Sequence, residues 1–565
     1  MRATGSEAAV KSLELQGVDK VFGLLGSGYL DIVDVMHDAG IRFVGVRHEQ
    51  TASLMADGYA RVTLGPGVCM AGEGAGATNL LTGVAVAFKG NSPVVAMTPA
   101  TDTKHLFSQA HQELDHSAIF RAVTKETLLV PRADRIPEFM NRAFSIAMSG
   151  RKGPVHIDIP RDFQFAEFDW DVPEIQSRDS SPGGFVPGSA AKEIVGRLAK
   201  AERPVIIAGG GVVWADATAE LIRLAEALDV PVTSARGHND VFPNGHRLWL
   251  GALGYYGSRA AMSAVAESDL IFAVGTKLSE ASTAPYYGFE VVRKGSAIIQ
   301  ADIEPRALGW NFPVELAVSC DAKALLGSML AAIDSGGLRR KNPRWVDRTA
   351  SSREDFAKEL SALVGKETKL VNPYGAYSKL REILPGEAIV TLDAGILSQG
   401  IAFSTLGFDS PRTLLAPVGI GNIGFSLGEA LGAKAAKPDA PVLSLSGDGA
   451  FSMMGNEIMT AVQEEINVVC IVFNNSAWGT EKWYQSNVYG RVIGSDLKNP
   501  DFAEFARLAG AWGARVDSLK EFEDAVREAL GKNRPSVIDV QVDPSIIIKS
   551  GRAGTMSKPA RHVYT

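Results

Sequence analysis

Cysteine is scarce in this chain: Cys69, Cys320 and Cys470 are the only three among 565 residues. They stand far apart in apolar contexts, which excludes a disulfide framework and any thiolate metal spacing and predicts core thiols in a reducing compartment. Long hydrophobic runs are missing too. None reaches membrane-spanning length, and no basic-then-apolar leader opens the chain, so the expectation is a cytoplasmic protein with no membrane partner. Positive charge is not in excess: 57 Lys and Arg against 64 Asp and Glu give a net charge of −7. That balance offers no general attraction to nucleic acid or anionic lipid. What is present is ordinary for a soluble globular protein, 46% apolar and 21% charged residues. The length exceeds a single core and predicts about three domains.

The chain is organised around Leu445-Ser446-Gly447-Asp448-Gly449-Ala450 and, downstream, Asn474-Asn475. An apolar run, residues 440–445, precedes the first motif, and a second, residues 468–473, precedes the asparagines. With a helix between them these form a strand–helix–strand unit, whose ligands sit at the carboxyl ends of the strands. Asp448 and Asn475 are then expected side by side at one sheet edge. One carboxylate oxygen, one amide oxygen and a backbone carbonyl suit a hard divalent cation that keeps its other positions for phosphate and water. Glycines on either side of Asp448 let the backbone approach a diphosphate closely.

Strand and helix signals alternate along residues 8–168, as in a parallel α/β sheet. Within this part, Phe43-Val44-Gly45-Val46-Arg47 reads as a strand that ends in His48-Glu49, followed by a helix from residue 50. An acid at such a place is either a helix cap or a functional group. Residues 174–188 are rich in Ser, Pro and Gly and read as a linker. A second α/β unit follows, with strands before Gly209-Gly210-Gly211, before Gly275 and up to Asp302. Strand, glycines and a later strand-end acid are similar to a dinucleotide-binding pattern, without its full glycine fingerprint. Residues 336–370 read as helix and linker, and a third α/β unit ends near residue 545. The tail, residues 546–565, is basic, and is read either as a loose end or as a lid. The predicted fold class is therefore α/β, three doubly wound parallel-sheet domains at 1–173, 189–335 and 371–545.

The strand-flanked Gly-Asp-Gly closed by Asn-Asn, the run Ala56-Asp57-Gly58-Tyr59-Ala60-Arg61 after Glu49, the turn Gly72-Glu73-Gly74-Ala75-Gly76-Ala77-Thr78-Asn79 and the strand ending Pro160-Arg161 resemble the thiamine-diphosphate enzymes of the acetolactate synthase type. The resemblance covers nearly the whole chain. It implies thiamine diphosphate and Mg²⁺ as cofactors, with a pyrimidine-binding, a middle and a diphosphate-binding domain. It implies that Glu49 hydrogen-bonds the aminopyrimidine ring and that Ile423 is the apolar wedge bending the cofactor. The Gly421 carbonyl would accept from the 4′-amino group. Gly447, Gly449 and Ala450 would admit the diphosphate, and Asp448, Asn475 and the Ala477 carbonyl would hold the metal. It implies further that Glu49 and Asp448 meet across a subunit interface, in a homodimer or homotetramer. In relatives the middle domain holds FAD, ADP or nothing, and Arg161, Gly209, Gly210, Gly211, Gly275 and Asp302 are its candidate nucleotide residues here.

Substrate-facing candidates are Gln112 and Glu113, in a loop that resembles the one pointing at the reacting carbon, with Trp478 just past the metal motif, Ser27, and Arg552 in the tail. His105 and His116 read as structural or exposed. Three stretches, residues 236–243, 254–258 and 478–482, are similar to the sulfoacetaldehyde acetyltransferase branch. That branch implies a small anionic carbonyl substrate, phosphate as acceptor, and acetyl phosphate and sulfite as products. The competing expectations are an acetolactate synthase-like carboligase, a cyclic 1,2-dione hydrolase and a 2-hydroxyacyl-CoA lyase or decarboxylase. From another class come a nucleotide-dependent oxidoreductase centred on the middle domain and a catalytically inactive homologue.

Overall fold

The structure, a computed structural model, describes residues 2–171, 186, 188–285, 289–337, 340–544 and 546. The linker at 174–188 lies almost wholly outside the described residues, as do Arg552 and the proposed lid. Three six-stranded sheets, parallel throughout, confirm the α/β reading. Their central strands are buried on both faces, all seven residues of Val94–Ala100 for example, which is why these read as continuous apolar runs and not as alternating ones.

The first sheet contains β1 (Lys20–Gly23), β2 (Arg42–Gly45), β3 (Gly67–Met70), β4 (Val94–Ala100), β5 (Glu126–Leu129) and β6 (Val155–Pro160), in the order β2-β1-β3-β4-β6-β5. The middle sheet contains β7 (Pro204–Ala208), β8 (Val232–Ser234), β9 (Trp249–Ala252), β10 (Leu270–Val274), β11 (Ala297–Asp302) and β12 (Leu316–Ser319), in the order β9-β8-β7-β10-β11-β12. That is the dinucleotide-fold order, with its switch point between β7 and β10. The third contains β13 (Ile389–Leu392), β14 (Leu414–Leu415), β15 (Val442–Gly447), β16 (Val469–Asn474), β17 (Trp512–Val516) and β18 (Ser536–Gln541), in the order β14-β13-β15-β16-β18-β17. The first and third sheets therefore share one topology, although no sequence repeat joins them. All three cysteines are buried.

Four helices matter for the site: α1 (Glu49–Thr63), α2 (Ala75–Gly90), α3 (Ser426–Ala436) and α4 (Asp448–Met454). The first and third domains meet where α1 crosses α3. Glycines allow backbone to touch backbone there: a Cβ on Gly58 would lie 2.3 Å from the Glu429 carbonyl oxygen, and one on Gly432 would lie 2.0 Å from that of Met55. One hydrophobic core runs through this crossing, from Phe22 and Met55 to Leu431 and Val472. Arg61 of α1 donates two hydrogen bonds to Asp57, at 2.9 and 2.8 Å, and a third to the Ala416 carbonyl. The Glu457 carboxylate accepts from the Arg47 N–H at 3.2 and 3.1 Å, bracing the entry to α1 from the third domain.

Candidate active site

Strand β15 ends in Gly447 opposite Phe473 of β16, so the Asp448 and Asn475 side chains leave adjacent strands at one carboxyl edge. Asp448 opens α4 and accepts from the Ala477 N–H at 3.1 Å and from Asn499 Nδ2 at 2.7 Å. Asn499 has no motif around it, and sequence reasoning missed it. The two asparagines differ. Asn474 is bonded into the fold: it donates to Asp539 at 3.0 Å and accepts from the Ser476 N–H at 3.1 Å and from Asn499 at 3.1 Å. Asn475 Oδ1 is buried with no partner among the described residues, as is Ser446 Oγ. A Cβ on Gly447 would meet nothing within 4 Å, although its φ of −79° demands no glycine. On Gly449 a Cβ would strike the Trp478 ring at 2.4 Å, so the indole lies against this turn.

Burial pushes the Asp448 carboxyl above the usual range, against the hydrogen bonds from Asn499 and Ala477. A cation acts in the opposite direction. An orphaned amide oxygen, a buried acid and an open glycine turn on neighbouring strands fit a divalent metal carrying a diphosphate.

The segment before α3 lies beside this turn. Asp393, after β13, accepts from the N–H groups of Gly424, Phe425 and Ser426 at 3.0, 2.9 and 3.0 Å. It thereby caps α3, and burial pushes its carboxyl up to about 6. This clamp presents Gly421 and Ile423 at the same edge. Ile423 is half-buried and belongs to no core cluster among the described residues, so it is not a plain core isoleucine. Gly424 packs against Met454 of α4, which ties the clamp to the Asp448 helix.

The first sheet offers a second edge. Glu49 starts α1, is 8% exposed and accepts from Asn79 Nδ2 at 2.9 Å. A Cβ on Gly76 would lie 3.5 Å from Glu49 Oε1, so the start of α2 walls the carboxylate in. Within one chain, then, Glu49 bonds inside its own domain while Asp448 bonds inside the third. Ser27 is exposed and begins a short 3₁₀ turn (Ser27–Tyr29) on the same edge. Gln112 is exposed, with φ of 65°, and its carbonyl oxygen rests on Gly74. The Glu113 carboxylate accepts from the N–H groups of Phe107 and Ala110 of its own loop. Of the two readings of His116, structural or exposed, the first holds: it is buried and bonds Asp158 and Gly74.

A cavity of about 1690 Å³ lies away from both edges, between the first and middle domains. Gly210, Gly211, Gly275 and Asp302 line it, at the switch point of the middle sheet. Arg161 does not: it starts a short helix after β6, on the first-sheet edge, beside Glu73. Gly209 is also absent from the lining. Its N–H bonds the Val274 carbonyl at 3.0 Å, and a Cβ there would clash with Gly275, so close strand packing accounts for it. Basic and acidic side chains both line it, Lys89, Arg151 and Lys277 among the first and Asp216, Asp302 and Asp321 among the second. Burial lowers Lys277, and the charges of Arg151 and Lys89 lower it further.

Family models match three consecutive parts of the chain: the thiamine pyrophosphate enzyme N-terminal binding domain over residues 3–119, the central domain over 191–329 and the C-terminal binding domain over 393–540. A sulfoacetaldehyde acetyltransferase of Alcaligenes xylosoxydans xylosoxydans is 35% identical across 99% of this chain and 96% of its own length. One from Castellaniella defragrans is 34% identical over 99% and 96%. A probable acetolactate synthase large subunit of Methanocaldococcus jannaschii is 35% identical over 99% and 95%. With three matching domains in order, full-length relatives and two furnished sheet edges, the chain belongs to the thiamine pyrophosphate enzymes and is an enzyme that uses thiamine diphosphate.

Proposed function

We propose that this enzyme is a sulfoacetaldehyde acetyltransferase, converting sulfoacetaldehyde and phosphate to acetyl phosphate and sulfite, with Mg²⁺ as its metal. The observation carrying the metal is the orphaned, buried Asn475 Oδ1 beside Asp448. The two acetyltransferase relatives, similar over nearly their whole length, carry the reaction.

Asp448, Asn475 and the Ala477 carbonyl hold Mg²⁺, and the open turn Gly447-Asp448-Gly449-Ala450 admits the diphosphate. When bound, thiamine diphosphate supplies a nucleophilic carbon for attack on a carbonyl. Ile423 would pack against the cofactor, and the Gly421 carbonyl would accept a hydrogen bond from its amino group. Glu49 holds a proton at the aminopyrimidine ring, and Asn79 fixes the carboxylate's orientation. Glu49 and Asp448 meet between two copies of the chain, so the working unit is a homo-oligomer. Exposed apolar side chains on both edges support that reading: Leu25 and Phe107 on the first, Ile420, Met453 and Ile493 on the third. The cavity beside the middle domain would accept ADP or FAD, with Asp302 at the ribose.

Purified enzyme with thiamine diphosphate and Mg²⁺ should release sulfite from sulfoacetaldehyde, with acetyl phosphate formed only when phosphate is supplied. No sulfite, but acetolactate and CO2 from pyruvate, would replace this reading with the carboligase. The full-length similarity to an acetolactate synthase large subunit favours that as the second reading. A yellow preparation identifies flavin in the middle domain; a rise in Tm with ADP identifies the nucleotide.

A further inference from the structure

The turn Gly72-Glu73-Gly74 contains a carboxyl group that the reading above leaves unused. Glu73 is half-buried, and its Oε2 is buried with no hydrogen-bond partner among the described residues. It leaves the carboxyl end of β3 on the edge that holds Glu49, three residues before Gly76, which walls Glu49 in.

The turn is held from behind. Gly74 has φ of +63°, and its N–H donates to His116 Nε2 at 3.1 Å. An acceptor at Nε2 leaves the ring proton on Nδ1, which donates to the buried Asp158 at 2.9 Å. His156 and Thr98 complete that buried group. Side chains facing Glu73 come from every loop around it: His116 and His111 from the 102–116 segment, Arg161 after β6, and Asp102 after β4. Burial raises the carboxyl above its ordinary range, and the Arg161 charge acts against it. An acid fixed at a sheet edge, with one oxygen that no group among the described residues uses, suits a partner that comes from outside the chain.

We propose that Glu73 is the acid of the substrate half of the site, where its carboxyl group hydrogen-bonds the reacting carbonyl oxygen and gives it a proton. The inference rests on the carbonyl chemistry proposed above. As the carbonyl carbon gains its new bond, the C=O π pair moves onto oxygen. The Glu73 O–H passes its proton there, leaving a carboxylate at Glu73 and a hydroxyl on the substrate carbon. When the carbonyl re-forms, the same proton returns to Glu73. Arg161 and His111 beside the turn stand ready for the anionic end of the substrate, which a second ionised carboxylate would repel. Burial, which disfavours the charged form of Glu73, eases that conflict.

The test uses the full chain loaded with thiamine diphosphate and Mg²⁺, as wild type and Glu73→Gln. Difference infrared spectroscopy between the two, across about pH 4 to 9, reads the Glu73 carboxyl directly. A protonated band that persists above the ordinary glutamate range supports the proposal; titration at the ordinary value overturns it. With sulfoacetaldehyde and phosphate, or with pyruvate, Glu73→Gln should lose about 100-fold in kcat while cofactor affinity holds. Wild-type turnover by the variant would overturn the role. Were the wild type to convert neither probe, the reaction proposed above would fail, and the infrared titration would still decide on Glu73.

Discussion

At the Asp448 edge two adjacent amides have opposite surroundings. Asn474 has three hydrogen bonds inside the fold, while Asn475 Oδ1 has none among the described residues. Asn474→Ala leaves the buried Asp539 and the Ser476 N–H short of a partner, and should lower unfolding stability by about 1–3 kcal/mol in urea titrations. Asn475→Ala should leave the urea midpoint almost unchanged and instead abolish Mg²⁺-dependent binding of thiamine diphosphate, read by calorimetry. The reverse pattern would exchange the two roles. Asp448 and Asn475 were legible because a strand end fixes where the next residue stands, so motif spacing carries geometry. Asn499 was not, because it arrives through a loop with no pattern. Glu113 and Arg161 show the same limit from the other side. A polar loop or a strand-end arginine announces a functional neighbourhood, but it does not say whether the group folds its own loop or which cavity it faces.

At the level of elements, the crossing of α1 and α3 decides how the first and third domains sit together. A methyl group on Gly58 meets backbone rather than a side chain that could turn away. Gly58→Ala should therefore cost roughly 3 kcal/mol, measured by chemical denaturation. Glu429 of α3 is buried in the same crossing. Arg61 is committed to Asp57 by two hydrogen bonds and stays 4.0 Å from Glu429, so burial, with the Asp57 charge beside it, pushes the Glu429 carboxyl well above its usual value. The folded state then keeps a proton that the unfolded chain releases above about pH 4.5. Stability from this group is full below that pH and falls as pH rises, by up to about 1.4 kcal/mol per unit. In urea titrations Glu429→Gln should lack that slope, and the gap between variant and wild type should widen from pH 5 towards pH 8. Parallel slopes would remove the assignment. The sequence revealed α1 as the helix that follows a strand end, but not this crossing, since no local pattern tells which glycine a distant carbonyl will approach. Nor did it reveal that the first and third sheets share a strand order. That order depends on the alternation of strands and helices, which both domains have, and not on matching residues.

In the whole molecule, the two furnished edges belong to different domains of one chain, and each leaves apolar side chains in the open. Phe107 is 95% exposed on the first, and Ile493 is 65% exposed on the third. Under the reading proposed above, a cofactor anchored at Asp448 and activated by Glu49 would need both edges together, and a two-fold pair of chains would bring each edge to its complement. Mixing variants tests this without a structure of the assembly. Glu49→Gln and Asp448→Ala should each be inactive alone. After joint unfolding and reassembly in equal amounts, half of the pairs contain one chain of each kind. Such a pair has one site with both natural residues and one with neither. Turnover should therefore return to about one quarter of wild type. If Glu49 served the Asp448 of its own chain, no mixture could regain activity, because every site would keep one of the two lesions.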